Sequence, residues 1–238
     1  MPGWFGGYLG KLNFEIREEW KKLDNYAHSW TEKGKKLDSF ISLNPIEMYL
    51  EDKEIRLLSG VAYYEYLRRT KNIIKKEGKF KVVEEEEVID VRWSNFWFTN
   101  KSFIIIERRD SRDKIFELIS YALSGDVGNI SPIVFNIENI FNDYPSQWLG
   151  AFRDREGHIH SGQFYGEDIT HDDEMGDAYV RTQHKNQVGF LTEYFGPEIK
   201  IRATREGYLQ IYTNLDDRPN IIFEFIRDEL SQYFLNSS

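Results

Sequence analysis

Apolar side chains recur along this chain at two different spacings, and the change from one to the other predicts where its elements lie. After Asn13, a residue suited to cap a helix, Phe14, Ile16, Trp20, Leu23 and Ala27 fall at roughly helical intervals among charged residues. Leu58, Val61, Ala62, Tyr66, Ile73 and Ile74 give a second, imperfect stripe over residues 55–76, interrupted by Gly60. Both stretches predict helices, with a loop around Gly34 and a turn or helix start at Asn44-Pro45. From Lys79 the period shortens. Residues 80–82, 88–91 and 93–98 read as strand, Asn100-Lys101-Ser102 as a hairpin turn, and 103–107 as the returning strand. Ser111 then opens a helix with Ile115, Leu118, Ile119, Ala122 and Leu123 on one face, ended by Ser124-Gly125.

The second half follows the same order. A short helix over 137–144 precedes a hairpin of 148–152 with 159–165, turning at Arg155-Glu156-Gly157. A further hairpin, 199–203 with 208–212, turns at Arg205-Glu206-Gly207 and leads to a final helix over 218–234. Phe116-Glu117-Leu118-Ile119 and Phe223-Glu224-Phe225-Ile226 open the two helices that follow hairpins. The expectation is an α+β fold: antiparallel sheet with helices packed on one face, a duplicated hairpin-plus-helix unit, and a helical N-terminal region. The corresponding segments are 1–54 (arm and helical region), 55–128 (first half) and 129–238 (second half), or one continuous domain.

Composition narrows the classes. The 238 residues carry 31 Lys plus Arg against 40 Asp plus Glu, a net charge of −9, and no cysteine. Disulfide frameworks, thiolate-bound zinc and thiol nucleophiles are therefore excluded. No apolar run approaches the roughly 20 residues a membrane helix needs, and no secretory leader opens the chain, so a cytoplasmic, non-membrane protein is expected.

Three places could carry chemistry. His158 and His160, expected to open a strand, would share a face, and His171 and Asp172 follow in an acidic loop. These four could hold zinc, iron or manganese, with Glu167 or Asp173 moving a proton from bound water. No H-E-x-x-H accompanies them, and an acidic loop is ordinarily a solvated one, so no cofactor is the first expectation. The aromatic strand places Trp93 and Trp97 on one face, near the basic run that begins Arg68-Arg69 and near Arg108-Arg109, a platform on which bases could stack. The overall acidity opposes generic nucleic-acid affinity. The Gly-rich start, with Trp4, Phe5 and Tyr8, reads as an arm that docks on a partner or closes its own core. The basic run 68–81 is followed by Glu84–Glu87, so the two can face each other. The leading expectation is a non-catalytic binding or assembly protein with a protein partner or a second copy. A metal-dependent hydrolase and a nucleic-acid binder are the alternatives.

Overall fold

A computed structural model describes residues 5–44, 48–50, 55–76, 78–100, 103–107, 109–153, 158–213 and 219–235. Thirteen strands form one sheet: β1 (Phe5–Leu12), β2 (Tyr26–Glu32), β3 (Lys35–Leu43), β4 (Met48–Tyr49), β5 (Arg56–Lys76), β6 (Lys79–Thr99), β7 (Phe103–Ile106), β8 (Ile130–Pro132), β9 (Gln147–Phe152), β10 (Gly162–Tyr165), β11 (Lys185–Thr192), β12 (Ile199–Thr204) and β13 (Tyr208–Ile211). Their order is β10-β9-β11-β12-β13-β1-β7-β6-β5-β3-β2, with β4 on β5 and β8 on β1. The described ladders are antiparallel. The helices are α1 (Arg112–Ser124), α2 (Ile137–Asp143), α3 (Gly176–Val180) and α4 (Pro219–Phe225), the last prolonged by a π-turn over Ile226–Leu230.

Period-2 alternation buries both sides of the sheet. Leu9, Phe103, Ile105, Ile201, Leu209 and Ile211 point to one face, where they meet Ile137 and Ile140 of α2 and Ile222, Phe223 and Phe225 of α4. Leu12, Leu58, Phe96, Phe98, Ile104 and Ile106 point to the other, where Ile115, Phe116 and Ile119 of α1 cover them. Hence the expectation of an α+β fold with helices on one face is overturned: a single, mostly antiparallel sheet has apolar clusters and helices on both faces. Strands from all three segments of the chain join it. The two hairpins that precede helices, β6–β7 and β12–β13, flank β1 on opposite edges, and α1 and α4 lie on opposite faces.

The N-terminal region is strand, not helix, and it runs through the middle of the sheet. Phe5 and Tyr8 are buried rather than presented on an arm, and Phe5 meets Trp97 edge-on with ring centroids 5.3 Å apart. The glycines are there for close approach. A Cβ on Gly10 would come within 2.7 Å of the Phe116 ring, so α1 could not sit so low on β1. Of the stretch expected to be helical after Asn13, a short 3-10 turn at Glu19–Leu23 remains, and the chain then enters β2. Lys33 and Gly34, both at positive φ (49° and 78°), make the tight turn between β2 and β3.

Residues 55–76 form no helix. They are β5, one half of a ladder that runs from Leu57–Thr99 to Lys76–Lys79, with a register shift between Asn72 and Ile73. Leu58, Ala62 and Tyr64 are its buried face, a period of two that helical spacing mimicked. The strands on either side of Asn100, the helix from Ser111 to a left-handed Gly125 (φ 77°) and the hairpin of 199–203 with 208–212 stand where the pattern put them, while the hairpin expected as 148–152 with 159–165 takes its second strand only from Gly162. The final helix also stands, as α4 and its π-turn. Trp4, Pro45, Lys101-Ser102, Arg108, Arg155-Glu156-Gly157 and Arg218 lie outside the described residues.

Candidate functional site

The ladder β5–β6 is longer than the sheet that supports it. On one side β3 pairs with β5 only as far as Ser39–Tyr64, and on the other β7 pairs with β6 only over Phe96–Phe98. Past those points, among the described residues, the two strands pair with each other alone. Residues 65–76 of β5, at about 3.4 Å each, carry this ribbon roughly 40 Å beyond the last residue that β3 pairs with. The β2–β3 turn leans on its base: Lys35 Nζ donates to the Glu87 carbonyl, Lys33 lies 2.5 Å from the Glu87 carboxylate, and the Asp38 N–H donates to Glu65.

Alternation gives the ribbon two unlike faces. Tyr64, Tyr66, Arg68, Asp90 and Arg92 share one. There the Arg92 guanidinium sits 4.4 Å from the Tyr66 ring centroid and Arg68 pairs with Asp90 at 2.8 Å. The other face is apolar. Register places Tyr63 opposite Trp93, Glu65 opposite Val91 and Leu67 opposite Ile89, with Phe40 of β3 packed 5.4 Å from Tyr63. Tyr63, Trp93, Val91 and Ile89 are 40, 42, 52 and 46 % exposed, contiguous large side chains facing solvent at the edge of the molecule. Past the patch, Arg69 stands across from Glu87 at 3.4 Å. Lys33, hydrogen-bonded to the Glu87 carboxylate, holds it below the usual carboxylate range, with Arg69 adding to the effect.

The residues singled out in the sequence fall unevenly on this surface. Trp93 lies in the exposed stripe. Trp97, on the same face, is drawn inward against Phe5, so the two tryptophans form no continuous platform. Arg68 and Arg69 are exposed on the ribbon but are matched by Asp90 and Glu87. The basic run and the glutamates do face each other, from Arg69–Glu87 to Asn72–Glu84 in the register. What the sequence reading missed is the partner set of Trp93, namely Tyr63, Leu67, Ile89 and Val91. Treating 55–76 as period two would have found it.

The histidines are not gathered. His158 and His160 lie exposed in the coil before β10 rather than opening a strand, and His171 Nδ1 is 3.0 Å from Asp168 Oδ2. That contact, with Thr170, lowers the Asp168 carboxyl below its ordinary value. Asp172 Oδ1 accepts the N–H groups of Glu174 (3.1 Å) and Met175 (2.8 Å), which fixes the turn into α3. Glu167 and Asp173 are exposed on the same loop. Among the described residues no three His, Asp or Glu side chains are grouped as a metal ion requires. No described helix is long and apolar enough to cross a membrane. Comparison with known proteins finds no family model, no curated protein and no solved structure that matches the chain.

Proposed function

We propose that this protein works by assembly, and that the apolar face of its ribbon packs on the same face of a second copy. The observation that carries the reading is the exposed stripe of Tyr63, Trp93, Val91 and Ile89 on a ribbon with no third strand beside it among the described residues. Two-stranded ribbons standing alone are marginal in water, and large contiguous apolar patches on them mark an interaction surface. Charge supports a twin as the occupant. With a twofold axis along the ribbon, β5 of one copy lies over β6 of the other. Tyr63 then meets Trp93, Leu67 meets Ile89, and Arg69 meets Glu87 of the second copy. Tyr63–Trp93 and Leu67–Ile89 then put apolar on apolar and Arg69–Glu87 cation on anion, while Glu65, which falls on Val91, keeps its hydrogen bond from the Asp38 N–H. The alternative axis, across the ribbon, would stack the glutamate-rich strands on each other.

Light scattering on the purified chain tests this. A mass about twice the 28.3 kDa of one chain is expected. Ile89→Lys with Val91→Lys should return it to one chain mass while its circular dichroism stays native. A chain that remains monomeric at high micromolar concentration, or a double variant that still pairs, overturns the reading.

A further inference from the structure

On the far side of β1 from the ribbon, the sheet carries a second feature that assembly does not use. Arg109, Arg153, Arg202 and Arg205 converge on a cleft of about 600 Å³, floored by Asn186 and Gln187 and walled by Tyr8 and Tyr208. The elements that bring them are separate in sequence: the 3-10 turn before α1, the end of β9, strand β12, and the β12–β13 turn. Among the described residues, Glu107 and Glu206 are the only acidic groups on the lining, so four fixed cations face two carboxylates in a protein whose total charge is −9.

Most of the polar groups here are engaged, and the exceptions are informative. Arg109 Nη2 donates to Glu206 at 2.8 Å, and Arg153 Nη1 lies 4.0 Å from the same carboxylate. Arg112, beside the cleft, donates to the Glu206 carbonyl and also pairs with Asp113. Arg205 is committed to Glu138 and to the Lys185 carbonyl. Asn95 holds Glu107. Arg202 differs. Its Nη2 donates to Gln187 Oε1 at 2.7 Å, and among the described residues it makes no ion pair, while Tyr208 lies 5.8 Å away beneath its guanidinium carbon. Two further donors of this linked pair, Arg202 Nε and Gln187 Nε2, are buried with no partner among the described residues, and the acceptor Asn186 Oδ1 is likewise buried without one. Gln187 as a whole is 7 % exposed. A buried donor without an acceptor forfeits its hydrogen bond to water, so native structures supply a partner or keep the group for one. His184, also on the lining, holds a left-handed backbone (φ 62°).

From these groups we infer that the cleft is a binding site for an organic phosphate, toward whose oxygens the Arg202 and Gln187 side chains turn their buried, unpartnered N–H groups. Two orphan donors on hydrogen-bonded side chains, one of them a permanent cation, ask for a group that only accepts, and charge-assisted hydrogen bonds of this kind are the strong ones. Arg153, only loosely held at 4.0 Å by Glu206, is the cation free to turn toward a dianion. The volume is far larger than a bare phosphate and lies in the range of sites for whole small molecules, which leaves room for a nucleotide-sized remainder against Tyr8, Tyr208 and His184.

Thermal shift and calorimetry on the intact chain, with inorganic phosphate and adenosine monophosphate as probes, test the assignment. Both should raise the melting temperature, the nucleotide at lower concentration. Gln187→Met and Arg202→Met should each weaken binding about tenfold or more. Gln187→Met removes the acceptor of Arg202 Nη2 as well as the unpaired donor, so the control is that its unliganded circular dichroism stays native and its unfolding stays cooperative. That control separates lost binding from lost folding. No response to either probe up to about 10 mM, or undiminished binding by both variants, overturns the proposal. So does binding of a single-stranded oligonucleotide with no response to the small phosphates.

Discussion

Hairpins β5–β6 and β12–β13 are built from the same antiparallel ladder, yet their surroundings give them opposite characters. In β12–β13, Ile201, Ala203, Leu209 and Ile211 are fully buried, strands flank both edges, and α4 closes one face. Beyond Tyr64 the ribbon has no lateral neighbour among the described strands, its apolar side chains are nearly half exposed, and its charges pair across the strands at the surface. A ladder of hydrogen bonds contributes little net stability on its own, since water satisfies the same groups in the unfolded chain. Burial on the two faces decides which hairpin is core and which is surface. Beyond Tyr64 the ribbon is therefore held less by burial within the chain than β12–β13 is.

The largest effect that would break this comparison comes from a pair of glycines in hairpin turns. Gly207 closes β12–β13 at φ 80°, and a Cβ there would lie 2.2 Å from the Ile133 carbonyl oxygen, a backbone atom that cannot step aside. Gly78 closes the ribbon at φ 76°, and a Cβ there would meet nothing within 4 Å among the described residues. Gly78→Ala should cost about 1 kcal/mol, the left-handed penalty alone. Gly207→Ala adds a backbone collision and should cost about 3 kcal/mol or more. Chemical denaturation of the two variants checks it. Equal losses would mean that both turns rest on conformation alone.

The next contrast is in pH. Burial and the neighbouring Glu229 and Asp143 push the Tyr144 hydroxyl up to about 12, and burial, with Asp228 and Asp143 as partners, also raises Tyr194 and Tyr233. A group whose folded pKa lies above its unfolded value of 10.0 lends stability that is complete below pH 10 and lost as pH climbs through the folded value. These tyrosines all belong to the second half of the sheet and its covering helices. Melting temperature should hold from neutral pH to about 10 and then fall by several degrees per unit, with Tyr144→Phe flattening the fall. A decline that begins below pH 9 would place its cause elsewhere.

How much of this was legible in the sequence follows from the same contrast. The turn residues of β12–β13, the cap at Gly125 and the inward face of α1 were readable because local chemistry and tertiary burial agree there. Residues 55–76 were misread because a strand of this length is uncommon, and Leu58, Val61, Ala62 and Tyr66 fit a helix by accident of spacing. Gly7 and Gly10 read as part of an arm because glycine spacing does not reveal that Ile105 and Phe116 come to fill the room the missing side chains leave. The Arg202–Gln187 pair was invisible, since only the register of β11 on β12 brings the two together.

The smallest effect concerns the ribbon's base in acid. Glu87 is held below its ordinary value of 4.5 by Lys33, with Arg69 adding to the effect, so the stability it lends is complete above pH 4.5 and disappears as pH falls through the lowered folded value. The pairs are exposed and screened by solvent, so global unfolding should hardly register the change. Local opening should. Hydrogen exchange at the amides of β5 and β6 beyond Tyr64 should speed up between pH 4.5 and 3, after correction for intrinsic rates, while the amides of β12 and β13 stay protected. Glu87→Gln should bring the same loosening at neutral pH, by a factor of about two to five. If β12–β13 and the ribbon exchange together at every pH, the two hairpins open as one unit, and the independence drawn from their unequal burial is wrong.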